Sequence, residues 1–369
     1  MTLPPIGRRR FLAAALSAGA AAALPRFVFP SSARASVPPP PGNPSAEAPG
    51  SFDFVFFTDT HIQPELDASH GCDMAFRKIA SLSPEFAVMG GDHVFDAAAV
   101  AAPRADSIFS LYKSTEQLIS APIHRAIGNH DVFGIYSQSG VPATDPLYGK
   151  KMFEDRYGRR TFYSFDHKGY HFIILDSIQV TPDRLWEARI DDDQLDWLSA
   201  DLKSLTARSA AKPAPPSRSP AKPAEKSTPI IAAVHCPMVT AFATYAQVVS
   251  ADRKYNTLTV ANAPDVLDLL EGHNVLAVLQ GHTHINENVP YNGAQYITSG
   301  AVCGNWWRGS RMGTPEGFTV VSLRNGSLTT RYETYGFHAV ASPRISNSSA
   351  SSPATPPPSP SSTPSAPQY

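Results

Sequence analysis

The chain has 369 residues, 42% of them hydrophobic, and a formal net charge of -1 at pH 7. That is enough apolar material for a sizeable core, and the near-neutral balance argues against a dedicated nucleic-acid binder, which carries a strongly basic face. Cys72, Cys236 and Cys303 form an odd set without CxxC spacing, so they supply neither a zinc motif nor a disulfide framework, and the pairing of any single bridge is left open.

In chain order, Arg8, Arg9 and Arg10 precede an Ala/Leu-rich stretch that ends in small residues at Ala33 to Ala35. This is the layout of an export signal of the twin-arginine type, although Gly7 and Ala13 depart from the usual pattern. Pro25 and Pro30 keep the apolar run shorter than the roughly 20 residues a bilayer span needs. The expectation is a signal peptide over residues 1–35 and a Pro-rich linker over 36–50. The mature protein would then be periplasmic or extracellular, with no stable membrane span after cleavage.

From Ser51 to His338 the sequence reads as one domain. "FDFVFFT" at Phe52 predicts a strand, followed by a helix near Cys72 to Ser81; "EFAVMG" at Glu85 predicts a second strand and a helix near Asp106 to Ile119. "PIHRAIG" at Pro122 predicts a third strand, then a loop long enough to form a lid, carrying Phe133 and Tyr136. "TFYSFD" and "YHFIILD" read as a hairpin turning at His167 to Gly169. Leu195, Leu198, Leu202 and Leu205 share one helical face, with acids at the helix start where the dipole favours them. An insertion with Pro-rich, basic composition is expected at about 207–229. Beyond it come the strand "PIIAAVH", the helix "PDVLDLLEGH" and the strand "NVLAVLQG". "AQYITSG", "GFTVVSLR" and "SLTTRYETYGF" close the domain as strands, the last two joined by an Asn325-Gly326 hairpin turn. Residues 339–369 are Pro/Ser-rich and read as a disordered tail.

The ends of these strands gather one kind of chemistry. The first delivers Asp59 and His61, the second Asp92, the third Asn129, His130 and Asp131, the one after the insertion His235, and the next His282 and His284. The carboxyl edge of an open α/β sheet is where sites form. With His130 and Asp131 set aside, two Asp, one Asn and four His are too many donors for one ion. Shared between two, with one Asp bridging, they leave room for water, and a thiolate-free oxygen and imidazole set suits Mn, Fe, Zn, Ni or Co without choosing among them.

The order "DTH…GGD…GNHD…H…GHTH" resembles the calcineurin-like metallophosphoesterase superfamily, with all five blocks intact from Asp59 to His284. The resemblance implies a metallo-dependent phosphatase fold: an α/β, four-layer αββα sandwich of two mixed β-sheets flanked by helices. It implies that Asp59, His61 and His284 hold one metal and Asn129, His235 and His282 the other, with Asp92 bridging. Two such cations, divalent or trivalent, lower the pKa of a shared water and stabilise phosphoryl oxygens during in-line attack. The implied activity is hydrolysis of small phosphate mono- or diesters. His130 is the candidate proton donor to the leaving oxygen or stabiliser of charge on the phosphoryl group, and Asp131 the candidate residue that orients it.

Departures narrow the branch. Phe95 stands where purple acid phosphatases carry a metal-binding Tyr, and the DRG of serine/threonine protein phosphatases is missing after Gly91-Asp92. Nuclease branches bring basic and aromatic additions that this chain lacks, and cyclic-nucleotide phosphodiesterases resemble it more. Trp306, Trp307 and Arg308, in a Gly-flanked loop beyond the last ligands, are candidates to clamp an organic group and a phosphate oxygen, with packing under a turn as the alternative. A non-catalytic metal-binding scaffold with the same fold is the alternative function, and a surface adhesion module led by the tail is a third.

Overall fold

The computed structural model describes residues 49–210, 227–246 and 254–339. The expected signal peptide, most of the linker, the centre of the insertion and nearly all of the tail lie outside the described residues. The first half of the domain contains β1 (Phe52–Phe57), α1 (Ala68–Ser81), β2 (Ala87–Met89), α2 (Ala102–Thr115), β3 (Ile123–Arg125), α3 (Lys151–Tyr157), β4 (Tyr163–His167) and β5 (Tyr170–Ile174). A small hairpin, β6 (Ile178–Val180) and β7 (Trp186–Ala188), precedes α4 (Asp192–Ala210). The second half contains β8 (Ile230–Val234), α5 (Phe242–Tyr245), α6 (Ala263–Leu270), β9 (Val275–Gln280), β10 (Glu287–Tyr291), β11 (Ala294–Thr298), β12 (Gly317–Arg324) and β13 (Ser327–Thr334).

Two mixed sheets result. One has the order β13-β12-β1-β2-β3, parallel through β1, β2 and β3 and antiparallel at β12 and β13. The other has the order β10-β11-β9-β8-β5-β4, with a parallel centre and antiparallel strands at both edges. Central strands covered on both faces must be apolar throughout, which is why β1, β5 and β8 read as near-continuous hydrophobic runs. Alternate residues of each face each other across the sandwich: Phe52, Phe54 and Phe56 of β1 pack with Tyr170, Phe172 and Ile174 of β5. The Phe54 and Phe172 rings meet edge to face at 5.6 Å. The other face of β1 carries α1, with Phe57 and Phe76 rings 5.5 Å apart, and α4 lies over the second sheet, where Asp201 reaches His171. The layers are therefore helix, sheet, sheet, helix, as the resemblance implies. Among the described residues no helix is long and apolar enough to cross a membrane.

Differences from the sequence reading are local. Helix α4 continues to Ala210, so its last turn occupies the first residues assigned to the insertion. Strand β10, α3 and the β6–β7 hairpin were not foreseen. The first had a signal: Asn292 and Gly293, at φ 46° and 83°, form the same kind of two-residue turn as Asn325 and Gly326, at φ 51° and 85°. All three cysteines are buried free thiols, so no disulfide forms among the described residues.

The loop expected to be a lid is a packed wall. Phe133 pairs with Gly149 through two backbone hydrogen bonds, and Val132, Phe133, Ile135 and Val141 are buried in the core. Its far end is pinned by Lys150, whose Nζ lies 2.6 Å from Asp176. Phe133 is thus unavailable to a ligand, while Tyr136 is half-buried.

Candidate metal centre

Each expected ligand stands at or just beyond the carboxyl end of a strand: Asp59 and His61 after β1, Asp92 after β2, Asn129 after β3, His235 after β8, and His282 and His284 after β9. The three parallel strands of one sheet and two of the other open toward the same edge, so residues more than two hundred positions apart meet. Five of them (Asp59, His61, Asp92, His282 and His284) have left-handed backbone, with φ between 40° and 71°. Such geometry is uncommon for residues other than glycine, and it concentrates at functional sites.

The side-chain atoms converge. His61 Nε2 is 3.2 Å from His284 Nε2 and 3.4 Å from Asp92 Oδ2; His284 Nε2 is 3.3 Å from Asp59 Oδ1. On the other side, His235 Nε2 is 3.2 Å from Asp92 Oδ2, from Asn129 Oδ1 and from His282 Nδ1. Donor atoms each about 2.1 Å from a common ion lie about 3.0–3.4 Å from one another, which is the spacing found. Asp59 Oδ1 and Asp92 Oδ2 are buried and accept no hydrogen bond. Buried carboxylate oxygens without partners are costly, and cations would satisfy both. The donor set fits transition-metal ions.

The remaining ring nitrogens fix the orientation of three histidines. His235 Nδ1 donates to the Gly90 carbonyl at 2.9 Å, His282 Nε2 to Thr257 at 2.8 Å, and His284 Nδ1 to Gly304 at 2.6 Å. Each bond selects the tautomer that turns the other nitrogen, as an acceptor, toward the cluster. Asp59 Oδ2 accepts from the Thr58 hydroxyl and the His282 backbone, and Asp92 Oδ1 from the His130 backbone. Glycine serves close approach here more than turning. A Cβ on Gly128 would sit 2.2 Å from the Asp92 backbone nitrogen, and one on Gly281 2.3 Å from the Thr58 hydroxyl.

Charge is balanced inside the cluster. Burial acts to raise Asp59 and Asp92, but the surrounding histidines hold both carboxyls below the usual range. His235 is pushed up to about 9: burial disfavours its charge, and Asp92 outweighs that. Burial pushes His61 down to about 4 and His282 down to about 3.

His130 lies at the cluster, its ring 4.9 Å from that of His61. Asp131 does not orient it. Its carboxylate accepts from the backbone N–H groups of Asp92, His93, Val94 and Gly128 and from His93 Nδ1, all within 3.3 Å. The acid beside His130 Nδ1 is Asp96, at 4.0 Å, four residues beyond Asp92 in "GGDHVFD". Its position soon after Asp92 was the signal available in the sequence.

The tryptophan pair divides. The Trp306 ring lies 3.9 Å from His61, 5.0 Å from His130 and 5.3 Å from His284, covering that half of the cluster. Trp307 turns the other way and is 1% exposed, its Nε1 donating to the His61 carbonyl at 3.1 Å. Packing, not a ligand clamp, accounts for Trp307. Arg308 is exposed, with Nη1 3.5 Å from the Trp306 carbonyl.

Comparison with known proteins gives a match to the calcineurin-like phosphoesterase family over residues 52–286. No curated protein sequence matches the chain significantly. Among solved structures it is similar to a dimetal phosphatase from Danio rerio, at 15% identity, TM-score 0.49, over 76% of this chain and 98% of that one. It is also similar to the GAP50 anchor of the Plasmodium inner membrane complex, at 15% identity, TM-score 0.45, over 78% and 85%. A third is the phosphopantetheinyl hydrolase of Mycobacterium tuberculosis, at 14% identity, TM-score 0.35, over 69% and 90%. With the family match spanning well over half of its length and enclosing all five motif blocks, the chain belongs to the calcineurin-like phosphoesterase family.

Proposed function

We propose that the protein hydrolyses small phosphate mono- or diesters at a binuclear metal centre. One observation carries the reading: Asp92 Oδ2, buried and without a hydrogen-bond partner, lies between His61 Nε2 at 3.4 Å and His235 Nε2 at 3.2 Å. A carboxylate oxygen between two nitrogen clusters would serve an ion on either side. Asp59, His61 and His284 would hold one ion and Asn129, His235 and His282 the other.

When bound, two such ions supply Lewis acidity toward phosphoryl oxygens and make a water acidic enough to attack phosphorus near neutral pH. The chain's own residues do the rest. His130 donates a proton to the leaving oxygen, with the Asp96 carboxylate 4.0 Å from its Nδ1. Asp131 holds the backbone that presents Asp92 and His130. Trp306 covers the His61 and His284 side and limits the access of bulk water.

The test is metal stripping followed by assay against phosphomonoesters, cyclic and linear phosphodiesters and pyrophosphates, with Mn, Fe, Zn, Ni or Co restored singly and in pairs. Activity should vanish on stripping and return with about two ions per chain. Full activity in chelator, or active material without transition metal, would refute the reading.

A further inference from the structure

The turn of the β6–β7 hairpin carries Arg184 with left-handed backbone at φ 62°. Its guanidinium donates to four main-chain carbonyls of a single loop: Nε to Ile135 at 3.0 Å, and Nη2 to Gly134 at 2.8 Å, Tyr136 at 3.3 Å and Val141 at 2.7 Å. That loop follows His130 directly. Two residues beyond Arg184, Trp186 Nε1 donates to the Tyr136 hydroxyl at 3.0 Å, and the Trp186 ring meets that of His282 edge-on at 5.9 Å. The hairpin's other flank is tied as firmly. Asp183 accepts from Lys254 Nζ at 2.5 Å and from the Tyr255 hydroxyl at 3.0 Å, in the segment whose Thr257 carbonyl holds His282. The hairpin thus stands between the loop that follows the proton donor and the segment that backs a ligand.

An aromatic group therefore flanks each side of the cluster: Trp306 beside His61, and Trp186 with Tyr136 beside His282. We propose that Arg184 is a positioning residue: by fixing the carbonyls of 134–141 it holds the half-buried Tyr136 against the buried Trp186 ring that backs His282, a rigid wall whose accessible part is Tyr136 and which favours esters carrying a planar aromatic group. The substrate class rests on the phosphoesterase reading; the clamp on the loop does not. The Gly134 and Tyr136 carbonyls also accept from Ser139, so it is the Ile135 and Val141 carbonyls that draw their donor from Arg184, and a guanidinium fork reaches both from one side chain, which an ammonium cannot match in geometry. Preorganised loops lower the cost of ordering on binding.

Two measurements on the metal-loaded full chain test this. Steady-state kinetics compare 2-phenylethyl phosphate with n-hexyl phosphate, whose leaving groups are of similar acidity. Arg184→Ala should raise KM for the ring ester about tenfold and for the aliphatic one by less than about twofold, with metal content unchanged. Added methylguanidinium should restore the Arg184→Ala enzyme. Amide hydrogen exchange across 134–141 should accelerate in Arg184→Ala and by an intermediate amount in Arg184→Lys. Equal KM changes for both esters overturn the substrate class, and unchanged exchange overturns the clamp. Failure of the wild-type protein to hydrolyse any phosphate ester removes the function reading and the substrate class together, while exchange still decides whether Arg184 fixes the loop.

Discussion

Asp131 Oδ2 accepts the backbone N–H of Asp92 at 2.9 Å, so the acid that follows His130 in sequence serves the bridging carboxylate's turn and not His130 itself. It also collects the N–H groups of His93 and Gly128, at 2.8 and 2.9 Å. Asp131→Ala leaves several buried donors without an acceptor, and a loss of about 3 kcal/mol or more of folding stability is expected. Asp131→Asn, which keeps one acceptor oxygen, should lose less. Chemical denaturation of stripped protein checks this, because it removes the contribution of bound ions. Wild-type midpoints for both variants would show that the clamp contributes nothing.

His130 is placed to act on the leaving group, not to hold an ion. His130→Ala should keep its metal content and lose about 10²–10⁴-fold in turnover on alkyl esters, which need a proton at the departing oxygen. Esters of acidic phenols should suffer much less. Asp96→Asn, whose parent carboxylate lies 4.0 Å from His130 Nδ1, should show a milder loss. Elemental analysis beside a leaving-group series separates these outcomes. Equal losses across the series would remove the proton-transfer role from His130.

The ligand blocks were legible because their chemistry admits few residue types and strand ends gather them at one edge. What escaped depended on backbone geometry or on contacts from far along the chain. Nothing local says that Trp306 and Trp307 part company; their successive left-handed φ values of 56° and 64° send one ring to the cluster and the other into the core. The loop after His130 is long enough to form a lid, yet the residue that pins it, Arg184, lies more than forty positions downstream. The sandwich itself was legible through the resemblance that the five blocks carry, and apolar runs such as β5 and β8 agree with strands covered on both faces.

His171 ties helix α4 to the second sheet, with Nδ1 2.6 Å from Asp166 and Nε2 2.8 Å from Asp201. Burial alone would push its pKa down, but the two carboxylates outweigh that and raise it. A histidine with a folded pKa above its unfolded one stabilises the fold fully below the unfolded value, near 6.5, and loses that contribution as pH rises through the folded value. His171→Gln should therefore destabilise the protein more at pH 6 than at pH 9. Thermal unfolding of both proteins at the two values decides it, and a pH-independent difference would mean that His171 stays neutral in the fold.

Gly71, in the first turn of α1, faces the ring of Trp307. A Cβ there would lie 2.1 Å from Trp307 Cζ3, nearer than any real contact, and the ring is held in place by its bond to the His61 carbonyl and by Phe337 at 5.1 Å. Helix propensity alone favours alanine over glycine by about 1 kcal/mol. Overpacking should reverse the sign, making Gly71→Ala destabilising by about 1–3 kcal/mol. Because the clash needs both partners, Trp307→Leu should relieve it: Gly71→Ala in that background should cost little or become stabilising. A coupling energy near zero in the double-mutant cycle would show that the helix shifts to make room. A large coupling would show that Gly71 is required by the ring that anchors the turn beneath Trp306.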